Sequence, residues 1–329
     1  MRFFALLLLG LYLLMCALLN QDILTCPQCG SALHLSTSEA RCSASDCGCC
    51  YPVTSGVPVL VRSDNSVFDP DIFVRKEETF FRSVPKWREW ISSRIPDVTI
   101  NVNAARNARQ LHELLRKRNG QTRVLVVGGG VVGAGLETLL QDPAIEIIET
   151  DVSWGPQTQL ICDAHNLPFR DEVFDAVVVQ AVLEHVVDPR QCVSEIYRVL
   201  KTDGVVYADT PFIQQVHGRQ YDFTRFTRLG HRRLFRHFEE IDSGISCGPG
   251  VALAWSLRYF LLSFFSSERM RGAVSFASRI LFFWLKYFDY YLAQKKPALD
   301  AASAFFFLGR KSPTVLSDQE LLTSYQGGF

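Results

Sequence analysis

Apolar runs at Val124 to Val127, Ala144 to Ile148, Phe174 to Val179 and Val205 to Ala208 alternate with stretches in which apolar residues return at helical spacing. Runs of this kind read as strands buried on both faces, the signature of a parallel sheet. Before the first strand, Ala104, Ala105, Ala108, Leu111, Leu114 and Leu115 predict a helix over Asn103 to Arg118, stopped by Asn119-Gly120. A second helix is expected through Leu136 to Leu140, and a third ending at Arg198-Val199-Leu200-Lys201. This β-α-β alternation predicts a doubly wound sheet whose site lies at the strand C-termini. A sixth strand is expected near Glu240 to Ser246, and Ala304 to Leu308 closes the sheet.

Two segments break the pattern. Phe3 to Leu19 carries no charge, follows Arg2, and sits at the short limit for a membrane span. No small-x-small cleavage site follows, so it reads as an uncleaved anchor, with a cleaved signal or a buried helix as alternatives. Between the last two strands, Trp255 to Phe265 and Ala273 to Leu292 are dense in aromatics and leucine on more than one helical face, interrupted by Arg279, Lys286 and Asp289. Those charges exclude a clean transmembrane helix and predict an interfacial helical pair, with a lid or a homodimer contact as the alternatives. Residues 62 to 100 mix polar residues with Phe68, Phe73, Phe80, Phe81, Trp87 and Trp90, which predicts an ordered connector packed on the core.

Four of the ten cysteines, Cys26 and Cys29 followed by Cys42 and Cys47, have the spacing of two metal-binding knuckles, with Cys49 and Cys50 competing for the fourth position. Tyr51-Pro52 is expected to turn and Gly56 to Leu60 to add a short strand over the site. A core this small needs a metal to fold. Thiolate ligation implies a reducing compartment, the cytoplasm or the cytoplasmic face of a membrane. With its leading CPxC, second cysteine pair, YP and GxP-apolar tail, this stretch resembles the small zinc-ribbon family that activates tRNA and release-factor methyltransferases. The resemblance implies structural zinc on Cys26, Cys29, Cys42 and Cys47.

The first strand opens into Gly128-Gly129-Gly130-Val131-Val132-Gly133, a turn that lets a cofactor approach the backbone. Alone it fits a dinucleotide site equally well, and an acidic residue such as Asp151 is due after the next strand in either case. What discriminates is the following series: Asp163-Ala164, Leu167-Pro168-Phe169, Phe174-Asp175, and Leu183-Glu184-His185 after Gln180. In that order these motifs resemble the class I S-adenosylmethionine (SAM) dependent methyltransferases of the type 11 group. A narrower likeness through Thr210-Pro211-Phe212, Gln214 to His217, Tyr221 to Thr227 and Gly230 to Phe235 is to a largely uncharacterised bacterial subgroup. The resemblance implies a Rossmann-like, doubly wound, mostly parallel seven-stranded sheet with an N-terminal zinc ribbon and an apolar helical insertion before the last strand. It implies SAM held by Gly128, Gly129, Gly130, Gly133, Asp151 and Val152, the adenine by Asp163 and Ala164, with Gln180 beside the sulfonium. Val126 stands where the pattern carries an acid, and the third glycine is displaced to Gly133.

Charge is balanced, 34 basic against 34 acidic residues, so no global field favours nucleic acid. Methyl transfer needs an aligned acceptor and, for a hydroxyl or amine, a base. His185 and His217 are the base candidates, Tyr221 and Asp222 the orienting ones, and Arg225, Arg228, Arg232 and Arg233 could meet an anionic group. The expected organisation is a hydrophobic segment 1–21, a ribbon 23–61, a connector 62–120, a methyltransferase domain 121–312 with its insertion at about 251–295, and a tail 313–329. The expected activity is methyl transfer to a small-molecule or lipid-linked, amphiphilic acceptor. A nicotinamide or flavin oxidoreductase and a non-catalytic scaffold are the rival readings.

Overall fold

The computed structural model describes residues 21–329 except 65, 78, 80–89, 91–92, 131–132 and 329. The apolar segment Phe3 to Leu19 and the aromatics Phe80, Phe81 and Trp87 therefore lie outside the described residues. Among the described residues, no helix is long and apolar enough to cross a membrane.

Among the described residues, eleven strands share one sheet. β1 (Leu33–Leu35), β2 (Glu39–Cys42), β3 (Cys50–Thr54) and β4 (Val57–Leu60) form an antiparallel meander. The rest of the sheet runs β7 (Leu160–Cys162), β6 (Ile145–Asp151), β5 (Thr122–Val127), β8 (Phe174–Gln180), β9 (Leu200–Pro211), β11 (Ala304–Lys311) and β10 (Phe238–Cys247). β7 to β9 are parallel, whereas β11 lies antiparallel between β9 and β10. The seven-stranded, mostly parallel sheet that the resemblance implies is thus present. Tyr51-Pro52 does not turn: both residues lie within β3, and the turn falls at Ser55-Gly56, where both residues are left-handed.

The two parts join edge to edge. β4 pairs in parallel with β7, Val59 opposite Ile161 and Leu60 opposite Cys162. Thr25 donates to the Pro168 carbonyl and Arg170 to that of Ile23. Leu24, Cys26, Cys42 and Tyr51 are buried in the same apolar cluster as Leu160, Phe169, Phe174 and Val177.

Only residues 152–159 link the parallel strands β6 and β7, too few for the usual crossover helix. The connector covers that face instead. Helix α1 (Pro70–Val74), capped by Asp69, buries Phe73 against Val59, Val61 and Ile161, with Val152 and Trp154 packed alongside. The Trp154 indole N–H donates to the Phe73 carbonyl.

Helix α2 (Ala104–Arg116) buries Ala108, Leu111 and Leu115, as its spacing predicts, and short α3 (Glu137–Leu140) follows the glycine turn. Asp188 caps α4 (Pro189–Val199) through the N–H groups of Arg190 and Gln191. After α5 (Arg228–Leu234), the insertion contributes α6 (Pro249–Leu262), α7 (Glu268–Phe282) and α8 (Asp289–Leu292), and α9 (Asp318–Thr323) ends the chain's regular structure. Phe260, Phe264, Leu281, Trp284 and Tyr291 stay exposed on the insertion.

Asp289 ties α8 back to the start of α6, where the insertion leaves β10. Its carboxylate is fully buried and accepts from the N–H groups of Gly248, Gly250 and Val251 at 3.1, 2.7 and 3.0 Å, at the start of α6. Burial raises its pKa above the ordinary carboxylate value, against the pull of those donors. Asp289→Ala leaves the three donors without an acceptor and is expected to cost about 2 kcal/mol, read as a lower urea midpoint. An unchanged midpoint would show that solvent replaces the carboxylate.

Candidate active site

The cleft forms where parallel strands end. At the end of β5 the chain turns through Gly128, which is left-handed (φ 76°), and a Cβ there would stand 2.3 Å from Val182 Cγ2. The Gly128 and Gly129 N–H groups close onto the Thr150 carbonyl of β6. Gly130 N–H donates to Asp151 Oδ2 at 2.8 Å, and Gly155 packs on the Gly130 backbone too closely to admit a side chain. Asp151, at the end of β6, is buried and its pKa is pushed up to about 6, burial outweighing the N–H groups of Gly130, Val152 and Ser153.

After β7, Asp163 accepts from Ser66 Oγ at 2.6 Å and contacts His165 through the backbone N–H (3.0 Å) and Nδ1 (2.6 Å). Although burial opposes it, these contacts hold its carboxyl below the usual range. β8 is followed by Ala181, a non-glycine residue in the left-handed region (φ 53°), after which Val182 and His185 form part of the cleft wall. Such backbone strain gathers at functional sites.

Together these elements enclose about 100 Å³ lined by Val67, Phe68, Gly128, Asp151, Val152, Asp163, Ala164, His185 and Tyr221, among others. Cofactor pockets are commonly 300 Å³ or more, roughly. The wall that restricts it belongs to the connector: Ser66 holds Asp163, and the Phe68 ring lies 5.3 Å from that of Tyr221. A larger groove of about 830 Å³ between α4 and α5 shares none of this lining.

The structure gathers Gly128, Asp151, Val152, Asp163, Ala164, His185 and Tyr221 at this cavity. Gly129 and Gly133 instead face the sheet side of the glycine turn, beside Leu136 and Glu149. Gln180 lies against that turn: a Cβ on Gly133 would fall 2.0 Å from its Oε1. His217 stands behind His185, ring centroids 4.9 Å apart. Asp222 accepts from the backbone N–H groups of His217 and Gly218 and is paired with Arg225, so it holds the loop that carries His217. The expected arginine cluster is spent internally. Arg225 pairs with Asp222, Arg232 with Glu240 and Arg233 with Asp318, while Arg228 donates to the Ser324 carbonyl.

Two carboxylates escape a reading of the sequence. Glu149 stands directly opposite Val126 in the β5–β6 register, so the acid missing from β5 is present one strand away. It lies under Gly129, a Cβ on which would meet Glu149 Oε2 at 3.0 Å. The other is Glu184, buried beneath both histidines. Only strand register and burial distinguish these two from ordinary surface acids.

The cysteines converge as well. Cys26, Cys29, Cys42 and Cys47 bring four Sγ atoms within 4.8 Å of one another, with Cys26 to Cys47 at 3.8 Å and Cys29 to Cys42 at 3.4 Å. Tetrahedral zinc with bonds near 2.3 Å wants sulfurs about 3.8 Å apart, so the set fits. Cys50 is turned away, onto Glu39.

Residues 127–208 match the family described as "Methyltransferase domain" (Methyltransf_11). A stretch of 44 residues is 46% identical to the ubiquinone/menaquinone biosynthesis C-methyltransferase UbiE of Desulfotalea psychrophila, covering 13% of this chain and 18% of that one. A further 50 residues are 36% identical to a UPF0434 protein of Pseudomonas savastanoi pv. phaseolicola, covering 15% of this chain and 82% of that one. The chain carries a methyltransferase domain joined to a segment that belongs to the UPF0434 family. The chain covers under a fifth of the length of the C-methyltransferase it matches. Its fold is also similar to a solved Galdieria sulphuraria structure described as a sarcosine dimethylglycine methyltransferase, with 15% identity, 69% of this chain and 97% of that one covered, and a TM-score of 0.45.

Glu149 gives the fold a pH signature. Burial, and then the neighbouring Asp151 charge, raise its pKa from 4.5 to about 7. Between these values the folded chain keeps a proton that the unfolded chain has released, so stability falls as pH rises through that window. Glu149→Gln is expected to melt with the parent at pH 4 and above it at pH 8. Equal melting at both would show the carboxyl to be solvated.

Proposed function

We propose that the methyltransferase moves the SAM methyl group to an amphiphilic, lipid-linked or other small-molecule acceptor that enters beside His185, with the zinc ribbon acting in cis as a permanent part of the catalytic domain. The observation that carries this reading is the convergence of the Gly128 turn, Asp151 and Asp163 at the ends of consecutive parallel strands. SAM, when bound, supplies an electrophilic methyl carbon on a sulfonium.

The residues present suit it. Gly128 and Gly130 let the turn pack against Val182 and Asp151, where a Cβ would collide, and the Asp151 carboxylate at the end of β6 would accept ribose hydroxyls. Asp163 and Ala164 would meet the adenine once Ser66 releases the carboxylate. Glu149 supplies beneath the turn the carboxyl that Val126 lacks. His185 and His217 stand on the acceptor side, where an imidazole can take a proton near neutral pH. Burial lowers the His185 pKa, whereas Glu184 and neighbouring carbonyls raise that of His217 in spite of burial.

The exposed aromatics of α6 to α8 favour an amphiphilic acceptor, since contiguous apolar surface marks contact with a membrane or another apolar partner. The apolar segment Phe3 to Leu19 would place the enzyme on the cytoplasmic face of a membrane. A second copy of the chain is the competing occupant of the aromatic face.

SAM is expected to raise the melting temperature by several degrees and NAD to leave it unchanged, with the SAM shift abolished in Asp151→Ala. A shift with NAD and none with SAM would overturn the assignment. Stripping zinc with a chelator should destabilise ribbon and catalytic domain in one transition, because they share a core. Two separate transitions in calorimetry would show that the ribbon stands apart.

A further inference from the structure

Glu184 is 1% exposed, and neither of its carboxylate oxygens accepts a hydrogen bond. A buried carboxylate in that state is costly unless a cation sits beside it. Two imidazoles face it. His185 Nε2 lies 3.6 Å and His217 Nε2 3.7 Å from the same oxygen, Oε1, both beyond hydrogen-bond range.

The other ring nitrogens fix the tautomers. His185 Nδ1 is 2.7 Å from the Tyr221 carbonyl, and His217 Nδ1 is 3.2 Å from the Gln215 carbonyl, with Asp222 Oδ2 on the same side at 3.7 Å. Carbonyls only accept, so both Nδ1 atoms carry a proton, and each Nε2 faces Glu184 and offers its lone pair when the ring is neutral. Arg225 Nη2 also approaches His217 Nδ1, at 3.5 Å, but it serves Asp222 and the Gln215 carbonyl at shorter range. Gly218 permits the arrangement, for a Cβ there would fall 2.4 Å from His185 Nδ1.

Three lone pairs thus converge on one gap, with all three ligand atoms within 4.8 Å of one another. We propose that Glu184, His185 and His217 form a second metal site, for a divalent ion of the zinc type, open on the side where His185 lines the cofactor cleft. Bond lengths near 2.1 Å in a tetrahedron put ligand atoms about 3.4 Å apart, so each imidazole closes on the carboxylate by a few tenths of an ångström from 3.6 and 3.7 Å. Backbone carbonyls on the outer nitrogens are the usual support of metal-bound histidines. A carboxylate with two imidazoles leaves a coordination position for a reactant.

The site stands on its own residues, and its role rests on the methyltransferase reading; with the ion bound, His185 and His217 hold it and no longer take the acceptor's proton. A hydroxyl or thiol acceptor bound through its heteroatom would lose its proton to solvent water more readily than in bulk. Its electron pair then forms the bond to the methyl carbon, and the carbon–sulfur pair returns to sulfur, leaving S-adenosylhomocysteine.

The test is metal content of the full chain after equilibration with Zn²⁺ and passage through metal-free buffer. Glu184→Gln and the part-exposed His217→Ala should each hold one zinc fewer per chain than the parent, and His217→Asp should restore it. With Co²⁺, the parent should show visible bands that disappear in both variants, while the thiolate charge-transfer absorption of the cysteine site persists. An unchanged metal count in both variants, or identical cobalt spectra, would overturn the proposal. The SAM-induced melting shift, measured on the same samples, separates loss of the metal site from failure of the methyltransferase reading.

Discussion

The structure depends on what covers the outer edge of β7. A three-residue parallel strand with no crossover helix behind it presents unpaired backbone groups and a bare apolar face, and neither is stable in water. β4 satisfies the backbone and Phe73 covers the face. Because β7 leads directly into Asp163, the ribbon and connector set the position of a residue that the cofactor is expected to use. Ser66 extends that dependence to a direct hydrogen bond.

The motifs that made the sequence recognisable are largely structural. Asp175 sits at the start of its strand, away from the cleft, and ties Arg118, Lys201 and the Arg123 N–H together. Arg198 grips the carbonyls of Leu167 and Phe169 and pairs with Glu195 and Asp171, fixing the loop that receives the ribbon. These residues hold the frame on which Asp151 and Asp163 are presented.

The sheet was legible because buried parallel strands write themselves as apolar runs, and the helix before β5 because its apolar spacing is regular. The edge was not. Nothing in residues 152–159 announces that a helix is missing, and the pairing of β4 with β7 joins positions about a hundred residues apart in sequence. Tyr51-Pro52 misled because a proline in a β-strand depends on which neighbour it faces, which only the sheet decides. Glu149 and Glu184 escaped for the same reason: a carboxylate becomes informative when register or burial shows what it lacks. The arginines of residues 225–233 looked available for an anion because the sequence does not show their partners Glu240 and Asp318.

The joint between ribbon and sheet also has a bearing on mass action. Were β4 supplied by a separate chain, the edge of β7 would be covered only to the extent that the two chains met, and dilution would uncover it. Tethered through the connector, the pairing is intramolecular and its occupancy does not depend on protein concentration. The catalytic frame is therefore as complete in a single molecule as in a crowded solution, and no shortage of a shared partner can leave it half built.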